Sequence, residues 1–168
     1  MKSAHTADAR QRRRDRLIQE AVHDPYKESA KPEEPAVCSE CGVVFSEGRW
    51  HWSPEPPTGT SDAMCPACRR IRDRVPAGFL TLSGDFFRKH RDEIMHLVEN
   101  TIESQQKEHP MKRLMKVEEQ EDGVVATFTD IHLPRTIGTA IERAYEGEIE
   151  IQFGEESGIS RVYWSRQH

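Results

Sequence analysis

The 168-residue sequence has no long apolar run, few aromatic residues and only four cysteines. A membrane-spanning helix needs about 20 consecutive apolar residues, and no stretch of this chain approaches that length. The first residues, MKSAHTADARQRRRDRL, lack the apolar segment that is typical of a secretory signal. We therefore expect a cytoplasmic protein with no membrane partner.

Known catalytic motifs are also missing from the sequence. It contains no Ser-His-Asp arrangement, no Walker-type sequence and no glycine-rich phosphate loop. His90 and His96 are six residues apart in a predicted helix, so they lie on different faces and do not form a metal-binding pair. These absences predict a protein without enzymatic activity.

The chain is polar for a packed protein, with 35% hydrophobic and 32% charged residues. Residues 1–37 account for part of this, because an arginine-rich stretch is followed by a segment rich in proline, glutamate and lysine. Such a composition buries too little apolar surface to offset its ordering entropy. We predict a flexible basic tail over residues 1–37, in which Arg12, Arg13 and Arg14 are candidates for contacts with RNA.

The four cysteines form two Cys-x2-Cys pairs, separated by 23 residues: Cys38, Cys41, Cys65 and Cys68. Two such turns present four thiolates to one tetrahedral Zn²⁺. Gly42 allows the left-handed backbone that such a turn favours, and Pro66 presets the second turn. The pattern predicts a zinc-ribbon-like module over residues 38–75, whose last part, 69–75, is a basic connector.

Two disulfides, free structural thiols or a redox pair are the alternatives to zinc. A cytoplasmic location argues against disulfides, and the thioredoxin-like context of a redox pair is absent. His51, in the intervening loop, is a further possible ligand, although four cysteines already complete the shell. A closed shell leaves no position for water or substrate, so we predict a structural site.

Residues 76–168 have the periodicity of a compact α+β domain. GFLTLSG predicts a strand, and a helix capped by Asp85 extends to Pro110. An antiparallel hairpin is predicted for LMKV and VVATFT. A second helix follows Pro134 and ends near Gly147. Two further segments, IEIQF and RVYW, are strand-like. This β-α-β-β-α-β order, with one extra strand, predicts a ferredoxin-like sandwich in which both helices cover one face of an antiparallel sheet.

Exposed aromatic and basic residues beside the cysteines are candidates for nucleic-acid binding. Trp50 and Trp52 flank the loop, and either ring can stack on an unpaired base or pack over the metal site as a small core. The basic cluster that follows the last cysteine can face phosphates, or it can be a solvated linker. Its members are Arg69, Arg70, Arg72 and Arg74.

Four segments follow one another along the chain: CSECG, CPACRR, GFLTLSG and KVEEQEDGVVATFTD. Their order resembles the zinc-binding and following α+β region of the large-ribosomal-subunit export adaptor family, which was first named for nonsense-mediated decay. The chain looks most like a shortened bacterial relative, over about residues 38–166. The resemblance implies a ribosome- or RNA-associated zinc protein without enzymatic activity, in which the four cysteines are the metal ligands. The additional cysteines and the later β-rich domains of that family have no counterpart here.

Two functional hypotheses remain open, and an enzyme that uses the sheet face is a third, which no catalytic triad or open metal site supports. In the first, the chain is a module that binds RNA or the ribosome, and its binding weakens steeply with salt. In the second, it is a protein-interaction adaptor, with the zinc module as a scaffold and the α+β domain as the partner surface. The sequence alone does not choose between them.

Overall fold

The computed structural model describes Tyr26 and residues 31–168. The predicted tail with its three arginines lies outside the described residues, except for Tyr26 and residues 31–37. Helices and strands are numbered below in chain order. None of the described helices is long and apolar enough to cross a membrane.

The first module is a small four-stranded sheet followed by a helix. Its strands run in the order β3-β2-β1-β4, and each is only three residues long. The elements are β1 (Ala36–Cys38), β2 (Val44–Ser46), β3 (Arg49–His51), β4 (Ser61–Ala63) and α1 (Pro66–Asp73). The sheet begins two residues before the predicted boundary at residue 38, because Ala36 and Val37 pair with both β2 and β4.

The predicted basic connector is mostly helical. Residues 69–73 belong to α1, and Arg74 ends the helix with a left-handed backbone, at φ 58°. Pro66 is the first residue of this helix, where its missing N–H costs nothing because that group has no partner within a helix. The proline that was expected to shape a turn therefore also starts a helix.

The second module is a five-stranded sheet with helices packed on one face. Its elements are β5 (Gly78–Ser83), α2 (Asp85–Lys89), α3 (Arg91–Glu108), β6 (Leu114–Gln120), β7 (Gly123–Phe128), α4 (Leu133–Tyr145), β8 (Glu148–Gly154) and β9 (Ile159–Ser165). Alternate residues of the central strands pack with α2, α3 and α4 in a single buried cluster. The α+β prediction and the placement of the helices on one face are thus confirmed.

The order of the strands differs from the prediction. The sheet runs β6-β7-β5-β9-β8, and β9 is parallel to β5, so the sheet is mixed and not purely antiparallel. The last strand takes the inner position because Val162 and Trp164 are almost fully buried, whereas Ile151 and Phe153 of β8 are about half exposed. Burial of the more apolar strand therefore places the polar strand β8 at the edge.

The long predicted helix is divided in two. Helix α2 ends at Lys89 and α3 begins at Arg91, with the non-helical residue His90 between them. The helix also starts differently from the prediction, since its N-cap is Gly84 and Asp85 is the first helical residue. Gly84 has a φ of 102°, and a Cβ there would collide with the carbonyl of Arg166, so glycine suits this cap.

Candidate metal centre

Strand pairing brings the two cysteine pairs together. Strands β1 and β4 are parallel neighbours, and Cys38 at the end of β1 lies opposite Ala63. The first pair follows β1 and the second follows β4, so both turns emerge at the same end of the small sheet. The 23 residues between the pairs therefore do not separate their sulfurs in space.

Backbone hydrogen bonds shape the two cysteine turns, and two of them reach sulfurs. Gly42 has a φ of 81°, as its predicted role requires, and its N–H donates to the carbonyl of Cys38 at 2.9 Å. In the second turn, Cys65 is the N-cap of α1 and its sulfur accepts from the N–H of Cys68 at 3.4 Å. The N–H of Cys65 in turn donates to the sulfur of Cys38 at 3.3 Å. Negative charge on the thiolates is thereby stabilised by peptide dipoles.

The four sulfurs have the spacing of a tetrahedral metal site. All of them lie within 4.8 Å of one another, and those of Cys41 and Cys65 are 3.8 Å apart. Zn–S bonds of about 2.3 Å in a tetrahedron place the sulfurs about 3.8 Å from each other. All four cysteines are free of disulfides. The cluster therefore fits one ion with a complete shell of thiolates, which confirms the predicted metal-binding arrangement at the level of geometry.

The pKa values of Cys38, Cys65 and Cys68 are shifted in different directions. Burial disfavours the thiolate of Cys38, but backbone N–H groups, chiefly that of Cys65, outweigh it and lower the pKa to about 7. Burial raises the pKa of Cys65 and that of Cys68. Metal binding requires thiolates, so these two thiols must release their protons as the ion enters.

Arg113, from the segment between α3 and β6, closes the site from the second module. Its guanidinium donates to the sulfur of Cys41 at 3.0 Å and to that of Cys68 at 3.2 Å, and it lies 3.7 Å from that of Cys65. The side chain is only 8% exposed, and its Nε donates to the carbonyl of Pro110. Four thiolates around a divalent ion such as Zn²⁺ would carry a net charge of about −2, and this arginine would offset part of it.

Sequence reasoning missed Arg113 entirely. It follows Cys68 by 45 residues and lies beyond an 18-residue helix, so no local spacing connects it to the cysteines. Burial opposes its positive charge, yet the sulfurs raise its pKa above the usual value. It is therefore a permanent cation held against the metal site.

Trp50 and Trp52, the two candidates for base stacking, both contact other parts of the chain. Trp50 lies against the buried cluster around the cysteines, with its ring 5.1 Å from that of Phe45. The indole N–H of Trp52 donates to the carbonyl of Gln106 in α3, and the ring lies 5.7 Å from the guanidinium carbon of Arg113. The alternative in which a tryptophan forms part of a small core thus applies to Trp50. Base stacking stays a prediction for both rings.

His51 takes part in a hydrogen bond away from the metal cluster. Its Nε2 pairs with the hydroxyl of Ser46 on the neighbouring strand, so the ring is held within the small sheet. It is not a member of the group of possible ligands among the described residues. The four-cysteine shell therefore needs no fifth donor.

The four arginines after the last cysteine have different surroundings. Arg70 is 8% exposed, donates to the carbonyl of Val75 at 3.1 Å and covers the ring of Tyr26 at 4.4 Å. Arg72 is exposed and donates to Asp73 next to it, and Arg74 caps α1. Arg69 and Arg70 line a groove between the modules. The predicted cluster is thus divided between a buried contact, a groove and an exposed helix end.

The groove that separates the two modules has a volume of about 710 Å³. Its lining includes Trp50 and two acidic residues, Glu108 and Asp130. The carboxylate of Asp130 already accepts the N–H groups at the start of α4. Basic residues from both modules also line it: Lys31, Arg49, Arg69, Arg70 and Lys112. Cations therefore outnumber carboxylates on the walls of this groove.

Comparison of the chain with protein-family models, with curated proteins and with solved structures gives no match. The residues and their geometry are therefore the basis for any functional proposal. They establish a compact four-cysteine cluster that can hold one metal ion, next to a groove with a basic lining.

Proposed function

We propose that this chain is a non-enzymatic, cytoplasmic zinc-binding protein that associates with RNA or with the ribosome. The observation that carries the proposal is the closed four-cysteine cluster beside the groove between the modules. A complete thiolate shell holds structure and leaves no coordination site for a reacting water. The resemblance in motif order to the ribosomal export adaptor family is consistent with the same proposal.

Zinc is the ion that this donor set favours. Four thiolates in a tetrahedron suit zinc or iron–sulfur chemistry, whereas oxygen-rich sites suit magnesium and calcium. Two Cys-x2-Cys turns, with one sulfur capping a helix, form a compact cage for a single ion. The metal would fix the position of α1 and hence of Arg69 on the groove wall.

The groove would receive the phosphate backbone of RNA. Arg49 and Arg69 approach it from the zinc module and Lys112 from the second module. Phosphate contacts of this type supply affinity without reading sequence, and they release counterions on binding. Binding to ribosomal RNA should therefore weaken steeply as salt rises.

The test replaces the groove cations as a set, Arg49→Gln, Arg69→Gln and Lys112→Gln, and measures binding to ribosomal particles at several salt concentrations. Arg70 is left unchanged because its burial makes it part of the packing. A matched variant with the same change in charge, Lys89→Gln, Arg135→Gln and Arg143→Gln, serves as the control. We expect the groove variant to lose at least about tenfold in affinity and to show a shallower salt dependence. Equal affinities of the two variants would contradict the proposal.

A protein-interaction adaptor is the second candidate. It is favoured by the open face of the large sheet, where Tyr163 is 37% exposed and Arg161 covers the ring of Phe79 at 4.4 Å. Capture of partners from lysate, with and without nuclease, separates the two candidates. A protein partner that remains after nuclease treatment and at high salt would favour the adaptor, and loss of all partners would favour RNA.

A further inference from the structure

The two edges of the five-stranded sheet differ in how they are protected against pairing with another strand. Edge strands expose unpaired backbone groups, and proteins shield them with charges, bulges or covering segments. At the β6 edge the register shifts between Leu114 and Lys116, which marks a bulge or irregularity. Lys116 pairs with Glu118 at 2.6 Å, and Arg91 of α3 reaches Glu119. This edge carries several of the usual protective features.

The β8 edge lacks these features on its apolar side. Strand β8 pairs with β9 in an unbroken register over all seven residues, and no other strand of the described residues pairs with it. Ile149 lies on the helix side and packs onto the buried core. Ile151 and Phe153 share that side, yet they are 46% and 44% exposed. The apolar layer under the helices thus continues to an uncovered edge.

The opposite side of β8 is polar. Glu148, Glu150 and Gln152 alternate with the apolar residues and point to the open face of the sheet. The amide of Gln152 donates to the carboxylate of Glu150 at 2.7 Å. The strand therefore has one apolar and one hydrogen-bonding face, which is the pattern of an antiparallel strand with one face towards the core and one towards solvent.

We propose that β8 pairs antiparallel with β8 of a second copy of this chain, about a two-fold axis that passes through Ile151. In this register Ile151 faces its own copy and Ile149 faces Phe153, so that apolar residues oppose apolar residues. On the other face Glu150 opposes Gln152, and Glu148 opposes Gly154. All seven residues of β8 find a partner, and no two like charges face each other.

Each neighbouring register is worse in at least one respect, either like charges that face each other or residues without a partner. An axis through Glu150 sets that carboxylate against its own copy, and an axis through Ile149 sets Glu148 against Glu150. An axis through Gln152 avoids this repulsion but leaves Glu148 and Ile149 without partners. Registers between these would place the apolar face of one copy on the polar face of the other. The charge pattern of the strand therefore selects a single self-complementary register.

The resulting dimer would have a continuous ten-stranded sheet with all helices on one side. Main-chain hydrogen bonds would supply most of the affinity, as they do in other cases of strand addition. One seven-residue pairing is a small interface, so we expect association in the micromolar range.

The experiment is sedimentation of the full, zinc-loaded chain at concentrations on the order of 1–100 µM. We expect the mass to rise towards twice the 19.4 kDa of one chain. Ile151→Lys and Ile151→Glu each place like charges on the axis, so each variant alone should remain a monomer. Circular dichroism should show an unchanged fold, because the side chain of residue 151 is about half exposed in the single chain.

Mixing the two variants tests the register itself. Lysine from one copy then faces glutamate from the other, and an equimolar mixture should recover a dimer. Val117→Lys, on the other edge of the sheet, is the control and should dimerise like the unchanged chain. A monomeric unchanged chain over the whole range, an unaffected Ile151→Lys variant or a mixture that fails to associate would each overturn the proposal.

Discussion

The two modules are stabilised in different ways. The five-stranded module has a buried core of 14 residues, which includes Trp164, Phe87 and Phe128. The small module has three-residue strands, and its cluster at the candidate metal site consists of Cys38, Val43, Cys65 and Ala67. Two of those four residues are candidate metal ligands, so we expect a bound ion to replace the apolar burial that a larger core would supply.

The variant with the largest predicted effect is one that can no longer hold a metal ion in the small module. Cys38→Ser should abolish stoichiometric zinc, because one ligand of four is lost, and structural zinc contributes about 10 kcal/mol or more to the folding of small modules. Metal analysis and amide NMR spectra should show residues 36–73 unfolded while the five-stranded module stays folded. Ser39→Ala, beside the ligand, is the control. A metal-free variant with a complete folded spectrum would refute the structural role of the site.

The second prediction destabilises the larger module and spares the metal. Trp164 is fully buried and its indole N–H donates to the carbonyl of Glu146 at 2.7 Å. Trp164→Ala should cost about 3–5 kcal/mol in the free energy of unfolding. Tyr163→Ala, at the next position but on the open face, should cost about 1 kcal/mol or less. Denaturant unfolding measures both, and equal losses would contradict the assigned faces of β9.

The third prediction concerns the connection between the modules. Arg113→Met removes the cation that contacts three sulfurs and keeps a side chain of similar length. Loss of such an outer partner weakens metal binding about 10–100-fold. Competition with a chromophoric chelator measures zinc affinity and release. Arg161→Met, on the open sheet face, is the control, and zinc release at the same rate from both variants would contradict the role of Arg113.

The smallest predicted effect lies in the backbone of the first cysteine turn. Gly42 and Gly59 both have positive φ, at 81° and 74°, and both have open space where a Cβ would be. Alanine at either position costs about 1 kcal/mol of backbone strain. Only Gly42→Ala acts within the ligand turn, so it should lower zinc affinity several-fold more than Gly59→Ala. Indistinguishable zinc titrations would show that the turn tolerates the strain.

Local features of the sequence were predictable, and contacts between distant elements were not. Each pair of candidate ligands has the short Cys-x2-Cys spacing. The helices and strands of residues 76–168 follow from apolar periodicity. Periodicity does not report the order of strands, so the insertion of β9 beside β5 appears only when the burial of Val162 and Trp164 is compared with that of β8. Arg113 shows the same limit, because its position depends on how the two modules pack.

The arginines after Cys68 illustrate why composition alone was a poor guide to the surface. Four basic residues within six positions predict one cationic patch, yet a helix distributes them around its axis. Arg70 consequently packs against the ring of Tyr26, while Arg72 extends to solvent and pairs with Asp73. The sequence identifies the charged residues, and the geometry of the helix determines which of them line the groove.

Cys65 belongs to two structures at once, since its sulfur is a candidate metal ligand and also caps the first turn of α1. Removal of a bound ion would leave the start of this helix beside four thiols that no longer surround a metal. The same helix places Arg69 on the wall of the groove. If the cluster holds zinc, as proposed, the shape of the groove would depend on the zinc supply. A zinc-depleted cell would then contain this protein with an altered groove, and a zinc-replete cell would contain it with the groove complete.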